Sequence, residues 1–127
     1  MISLLLVDDH ELVRAGIRRI LEDMKGLTIA GEVACGEDAV KWCRSNPVDV
    51  VLMDMNMPVL DGWQATKQLR ADAATQALPV IGLTAHAMAG DREKAIEAGC
   101  TDYHTKPVDF PKLLGQIEEL LKKSLNA

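Results

Sequence analysis

The chain has 127 residues, of which 48% are hydrophobic and 26% charged, and a formal net charge of −5. This is enough chain for one domain that buries a core without staples, and it is too apolar for a disordered segment. The acidic balance argues against a nucleic-acid-binding domain, which normally carries a basic face. The 14 Lys and Arg residues are scattered apart from a small cluster at Arg14, Arg18 and Arg19.

Ile2 to Val7 is almost wholly apolar, as expected of a strand covered on both faces. Val13, Ile17, Ile20, Leu21 and Met24 follow at helical spacing, and Gly26 fits a helix C-terminus. Leu27 to Val33 predicts a second strand, and Gly36 to Ser45 a second helix stopped by Asn46-Pro47. Val48 to Met53 is another apolar run and ends in Asp54. Asp61 can cap a helix through about Arg70. Pro79 to Leu83 predicts a fourth strand with the proline at its tolerated first position. A helix from about Met88 to Ala98 ends at Gly99, and a short strand covers Thr101 to His104. Asp109 then caps a last helix with apolar positions Leu113, Leu114, Ile117, Leu120 and Leu121. Strands alternating with helices over short connections imply a parallel α/β sheet wrapped by helices in a single domain spanning residues 1–127.

Cys35, Cys43 and Cys100 are odd in number and lack CxxC spacing, so they are expected as free thiols. Met1 leads into a strand without a basic leader, and no stretch approaches the ~20 apolar residues of a membrane span. The expectation is a soluble cytoplasmic protein that does not contact membrane.

The chemistry gathers at the strand ends, where open parallel sheets bind ligands. The first strand ends in Asp8 and Asp9, the third in Asp54, the fourth in Thr84, and the fifth runs into Lys106-Pro107. If the first and third strands are neighbours, three carboxylates converge. Such a cluster is strained unless a divalent cation offsets the repulsion. Mg2+ suits a site with a few carboxylates, waters and a phosphate oxygen. A carboxylate beside Mg2+ can attack a phosphoryl group, with Lys106 adding positive charge and Thr84 a hydrogen bond. Taken singly, the same residues have plainer readings. Asp8-Asp9 fits a helix N-cap with a solvated neighbour, Thr84 a strand-end cap, and Lys106 a surface lysine. Trp42, Trp63 and the methionines at 53, 55 and 57 fit packing, and the three arginines fit a solvated helix face.

The stretches VDDHELVR, DMNMPVLDGW, LTAHAM and DYHTKP together resemble the receiver domain of two-component response regulators, over nearly the whole chain. The resemblance implies a (βα)5 flavodoxin-like, doubly wound sheet of five parallel strands in the order 2-1-3-4-5. It implies that Asp54 is the phosphoacceptor, served by a phosphohistidine on a histidine kinase or histidine phosphotransfer domain. Asp8, Asp9, Asp54 and the backbone carbonyl of Asn56 are then the Mg2+ ligands, Lys106 contacts the phosphoryl group, and Thr84 and Tyr103 are the switch residues. For Tyr103, an edge-strand aromatic with a wet hydroxyl is an equal alternative. Asn56 and His86 flank the path of hydrolysing water, and Pro107 permits a cis peptide at low cost. Phosphorylation shifts an inactive–active equilibrium read out around the fourth helix, fifth strand and fifth helix. The small residues Ala87, Ala89, Ala95 and Ala98 suit a movable fourth helix. Such a domain is not an enzyme with an external substrate; it catalyses only its own phosphorylation and dephosphorylation. It is expected as a monomer or weak phosphorylation-dependent dimer that binds no nucleic acid directly.

MISLLLVDDHELVRAGIRRILED through VVLMDM resembles receivers of DNA-binding regulators. LTAHAMAGDREKAIEAGCTDYHTKPV resembles receivers attached to hybrid histidine kinases. The two styles meet near Met55 to Gly62, as in a recombined or engineered receiver. With no output domain after residue 127, the expectation is a single-domain regulator or an excised receiver. Three other functions compete. An aspartyl phosphatase usually carries Asp-x-Asp on its first strand, a flavin module needs a small-residue phosphate loop where DDHEL stands, and a docking-only receiver would lack some of the site residues.

Overall fold

Two four-residue runs, Leu4 to Val7 and Val50 to Met53, are entirely withdrawn from solvent. A strand with no polar face must be covered on both sides, so these two belong at the centre of a sheet flanked by two helical layers. The computed structural model describes residues 2–24, 26–54, 62–84, 91–105 and 109–125. In chain order it contains β1 (Ile2–Val7), α1 (Glu11–Glu22), β2 (Leu27–Val33), α2 (Gly36–Ser45), β3 (Val50–Asp54), α3 (Gly62–Ala71), β4 (Val80–Thr84), α4 (Asp91–Ala98), β5 (Asp102–Thr105) and α5 (Phe110–Leu125). The strands form one sheet in the order β2-β1-β3-β4-β5, and every pairing is parallel.

Alternation along each strand sorts side chains between two cores. Leu4, Leu6, Val50, Leu52, Ile81 and Leu83 pack with Ile17 and Leu21 of α1 and Leu113 and Ile117 of α5. Leu5, Val7, Val51, Met53 and Val80 face the other way, against Ala39, Val40 and Cys43 of α2 and Ala65 and Leu69 of α3. Trp42, Trp63 and Tyr103 pack half-buried against this second core. The expected packing roles of both tryptophans and of Met53 therefore hold; Met55 and Met57 lie outside the described residues.

The β1–β2 ladder skips Ala30: Leu4 pairs with Ile29 and Leu5 with Gly31. At Gly31 the indole of Trp42 lies so close that a Cβ would stand 2.7 Å from its ring carbon. A glycine lets α2 approach the strand there.

Expected elements and observed ones differ mainly at their ends. β3 begins at Val50 rather than Val48, because Ser3 and Asp49 bond to each other ahead of the strand: the Ser3 amide donates to Asp49 Oδ2 at 2.8 Å and the Asp49 amide to the Ser3 carbonyl at 3.0 Å. Pro79 stands just before β4, its carbonyl accepting the Val51 amide at 2.9 Å. Asp54 and Thr84 are the last residues of their strands. Asp109 caps α5 as expected, its carboxylate accepting the Lys112 amide at 3.2 Å. Gly26 and Gly99 both take positive φ, 88° and 108°, the left-handed conformation that favours glycine at helix ends. The expected cap at Asp61 and the expected first turn of α4, Met88 to Gly90, lie outside the described residues.

Candidate functional site

The β1 backbone delivers Asp8 to the carboxyl edge of the sheet. Its amide donates to the Val33 carbonyl at 3.2 Å, prolonging the β1–β2 ladder by one step. Its side chain then turns inward and is fully buried, while Asp9 is exposed. Asp8 does not cap α1. The cap position is His10, which makes no side-chain cap bond, and Asp8 Oδ1 instead accepts the His10 amide at 2.8 Å. The plainer N-cap reading of Asp8 therefore does not describe the fold.

Strand order supplies the third carboxylate. β3 lies between β1 and β4, with Met53 beside Val7 and Asp54 beside Leu83. Asp54 is 4% exposed, so it meets Asp8 in a largely dry setting. Carboxylate oxygens of Asp8, Asp9 and Asp54 all lie within 4.8 Å of one another. Opposite oxygens around a magnesium ion are roughly 4.2 Å apart, at about 2.1 Å from the metal. The observed spread is close to that figure, and an all-oxygen donor set suits a hard cation. The residues present thus fit the metal that the sequence implies.

Thr84 ends β4 and is 3% exposed, one strand further along the same edge. Tyr103 sits on β5 beside Gly82, half-buried against the α2–α3 core. Asn56, His86, Lys106 and Pro107 lie outside the described residues.

The arginines of α1 are not simply a solvated face. Arg14 Nη1 donates to the Asp8 carbonyl at 2.6 Å, and its Nε stands 3.4 Å from Glu32 Oε1. Arg18 Nη1 reaches the other Glu32 oxygen at 2.9 Å. The carboxylate of β2 therefore fixes two turns of α1, and one of those turns holds the backbone at Asp8. A signal existed in the sequence: Glu32 is the one charge in LTIAGEV, and Arg14 and Arg18 stand one helical turn apart.

Among the described residues, no helix is long and apolar enough to cross a membrane. The three cysteines are free thiols, as expected.

A five-stranded parallel sheet with acidic residues gathered at its carboxyl edge is an open α/β domain with a strand-end site, and the comparisons say of which family. Residues 4–118 match the model of the response regulator receiver domain. The chain belongs to that family. It is 56% identical over 106 residues to response regulator UvrY of Escherichia coli K12, covering 84% of this chain and 48% of that protein. It is 37% identical over 120 residues to response regulator GacA of Pseudomonas aeruginosa, covering 94% and 55%. The chain thus spans about half the length of these curated relatives. Among solved structures it resembles the receiver domain of sensor histidine kinase PA1611 from P. aeruginosa, which holds magnesium in its active-site cleft. The TM-score is 0.85 and the identity 35%, over 94% of this chain and 97% of that one. The receiver domain of Francisella response regulator 1452 superposes with a TM-score of 0.87 at 27% identity, over 98% and 99%.

Proposed function

We propose that Asp54 accepts a phosphoryl group from a phosphohistidine, and that Asp8, Asp9, Asp54 and the Asn56 carbonyl hold the Mg2+ this requires. The observation that carries the reading is the convergence of three carboxylates within 4.8 Å, two of them buried. A carboxylate oxygen of Asp54 attacks phosphorus as the P–N bond to the donor imidazole breaks, and the donor nitrogen keeps the bonding pair. When bound, Mg2+ supplies the positive charge that neutralises phosphoryl oxygens. Asp8 and Asp9 hold that charge in place. Burial keeps water from competing with Asp54, and the β3 ladder fixes the height of its carboxylate at the sheet edge. Lys106 and the Thr84 hydroxyl meet the phosphoryl group once it is attached, and Tyr103 follows Thr84 inward. The new bonds favour one of two pre-existing conformations.

In this reading the domain has no external substrate and works in the cytoplasm. Its donor is a histidine kinase or histidine phosphotransfer domain, and it binds neither nucleic acid nor membrane itself. It is a monomer or a weak, phosphorylation-dependent dimer. The two sequence styles that meet near Met55 to Gly62 belong to the reading as well. Both cores mix residues from before and after the join, with Leu4 and Leu52 against Leu113 and Ile117. A recombined chain packed this way should melt in a single cooperative transition.

Intact-mass spectrometry after incubation with acetyl phosphate tests the central step. The expected result is a Mg2+-dependent gain of one phosphoryl unit, absent from Asp54→Ala. A gain that survives in Asp54→Ala, or no gain in the wild type, would overturn the assignment.

A further inference from the structure

His104 is a buried histidine on β5, 4% exposed, and the phosphoryl chemistry does not use it. Its in-register neighbour on β4 is Leu83, part of the core shared with α1 and α5. Every polar atom around its ring has one consistent assignment. The Asp109 amide can only donate, and it points at His104 Nε2 at 3.0 Å, so Nε2 accepts. Nδ1 therefore carries the hydrogen and donates to Gln116 Oε1 at 2.7 Å. The Gln116 amide group is oriented by its other end. Its Nε2 donates to Asp102 Oδ2 and to the Tyr103 carbonyl, each at 3.0 Å. Both of those are acceptors only, which settles the amide orientation and with it the histidine tautomer.

The chain of bonds runs from the head of α5, through His104, back to α5 at Gln116, and on to β5. It joins the last strand to the last helix by side chains. A second proton on the ring would have to sit on Nε2, facing the Asp109 N–H, so that two donors met and the amide lost its acceptor. Along α5, Lys112, Glu118 and Glu119 are exposed to solvent, and the charged groups within this chain of bonds are Asp102, reached through Gln116, and Asp109, whose carboxylate is engaged by the Lys112 amide. Neither bonds the ring directly through its carboxylate among the described contacts.

We propose that neutral His104 is a proton-sensitive latch between β5 and α5, closed by the Asp109 amide and Gln116 and opened by protonation of the ring. The latch stands on its own geometry. One consequence rests on the proposed function: Lys106 follows His104 by two residues in the sequence, so opening the latch should slow phosphorylation of Asp54.

Nitrogen-15 NMR of the whole chain between pH 8 and pH 5 is the test. The expected ring spectrum at pH 8 is that of the Nδ1–H tautomer. On acidification the Asp109 amide should exchange at least tenfold faster relative to the Val51 amide, which is bonded to Pro79 in the sheet and reports global opening. In His104→Leu the Asp109 amide should be poorly protected at every pH. In Gln116→Glu the carboxylate would favour the imidazolium, and opening should begin at higher pH than in the wild type. An Nε2–H tautomer at pH 8, or Asp109 protection that tracks Val51 throughout, would overturn the proposal. Acetyl phosphate labelling across the same range should fall more steeply in the wild type than in His104→Leu. Absence of labelling at every pH would count against the role of Asp54 and leave the exchange result to decide the latch.

Discussion

Arg14 of α1 holds the backbone carbonyl of Asp8 at 2.6 Å, while its Nε stands 3.4 Å from Glu32 of β2. Asp8 is thus gripped from both sides. Its side chain takes the His10 amide and its carbonyl takes a guanidinium that is itself oriented by a carboxylate. Outer partners of this kind orient ligands without touching the metal. Arg14→Met keeps much of the apolar stem and removes the grip, and should weaken Mg2+ binding by roughly tenfold. Isothermal calorimetry with Mg2+ checks this, and Arg19→Met, from an exposed position on the same helix, serves as the control.

The acidic cluster makes a second prediction about stability. Without a cation the buried carboxylates of Asp8 and Asp54 repel each other, so Asp8→Asn should raise the melting temperature of the metal-free protein and abolish its response to Mg2+. Thermal unfolding with EDTA and with Mg2+ separates the two effects. Equal metal stabilisation of Asp8→Asn and wild type would remove Asp8 from the ligand set.

Gly31 and Trp42 set a packing constraint. A methyl group at 31 would come within 2.7–2.9 Å of three indole atoms, and Trp42 is packed against the core. Gly31→Ala should destabilise by about 1–3 kcal/mol through overpacking. Trp42→Leu in the same background should recover part of that loss, which urea unfolding of the single and double variants would reveal.

Arg70 stitches α3 to the turns that lead into β4 and β5. Its guanidinium donates to the Gly99 carbonyl at 2.7 Å and the Leu78 carbonyl at 2.6 Å. Its stem lies where a Cβ on Gly99 would fall, 2.6 Å from Cγ. Burial lowers its pKa from the ordinary arginine value, yet guanidinium remains charged at any working pH. Arg70→Ala should cost about 2–4 kcal/mol, because it strands carbonyls and removes packing together. Arg70→Lys should recover only part, since one ammonium does not reproduce the fork. Denaturant midpoints of the two variants give the comparison.

Burial pushes the Cys43 thiol up to about 11. Its proton is held more tightly in the folded chain than in the unfolded one, so this group's contribution to stability is complete below about pH 9 and is lost as pH rises towards 11. The pKa of the Cys35 thiol is also raised, but it is half-exposed where Cys43 is buried, so at pH 8 the folded protein should alkylate at Cys35 well before Cys43. Peptide mapping after brief iodoacetamide treatment reads the order directly.

Much of the fold was legible because β1 and β3 carry no polar side chain between Leu4 and Val7 or between Val50 and Met53. Local composition alone demanded two covering layers. The helix-end glycines at 26 and 99 and the cap at Asp109 were legible for the same reason: their conformational demands are set by near neighbours. Asp8, Asp9, Asp54 and Thr84 could be placed at strand ends from the sequence, and the family likeness supplied the expected strand order. Tertiary structure decided what those residues meet. Only the β1–β3 pairing brings Asp54 to Asp8, and only the packing of α1 on β2 turns Arg14 and Arg18 from a presumed wet face into partners of Glu32. His104 shows the difference most sharply. In the sequence it is one polar residue in a short strand. Its burial, its tautomer and its bonds to Asp109 and Gln116 arise because α5 folds back onto β5, a relation between segments that no local pattern encodes. Periodicity and turn chemistry act over a few residues, whereas hydrogen bonds between side chains far apart in the chain exist only once the layers have closed.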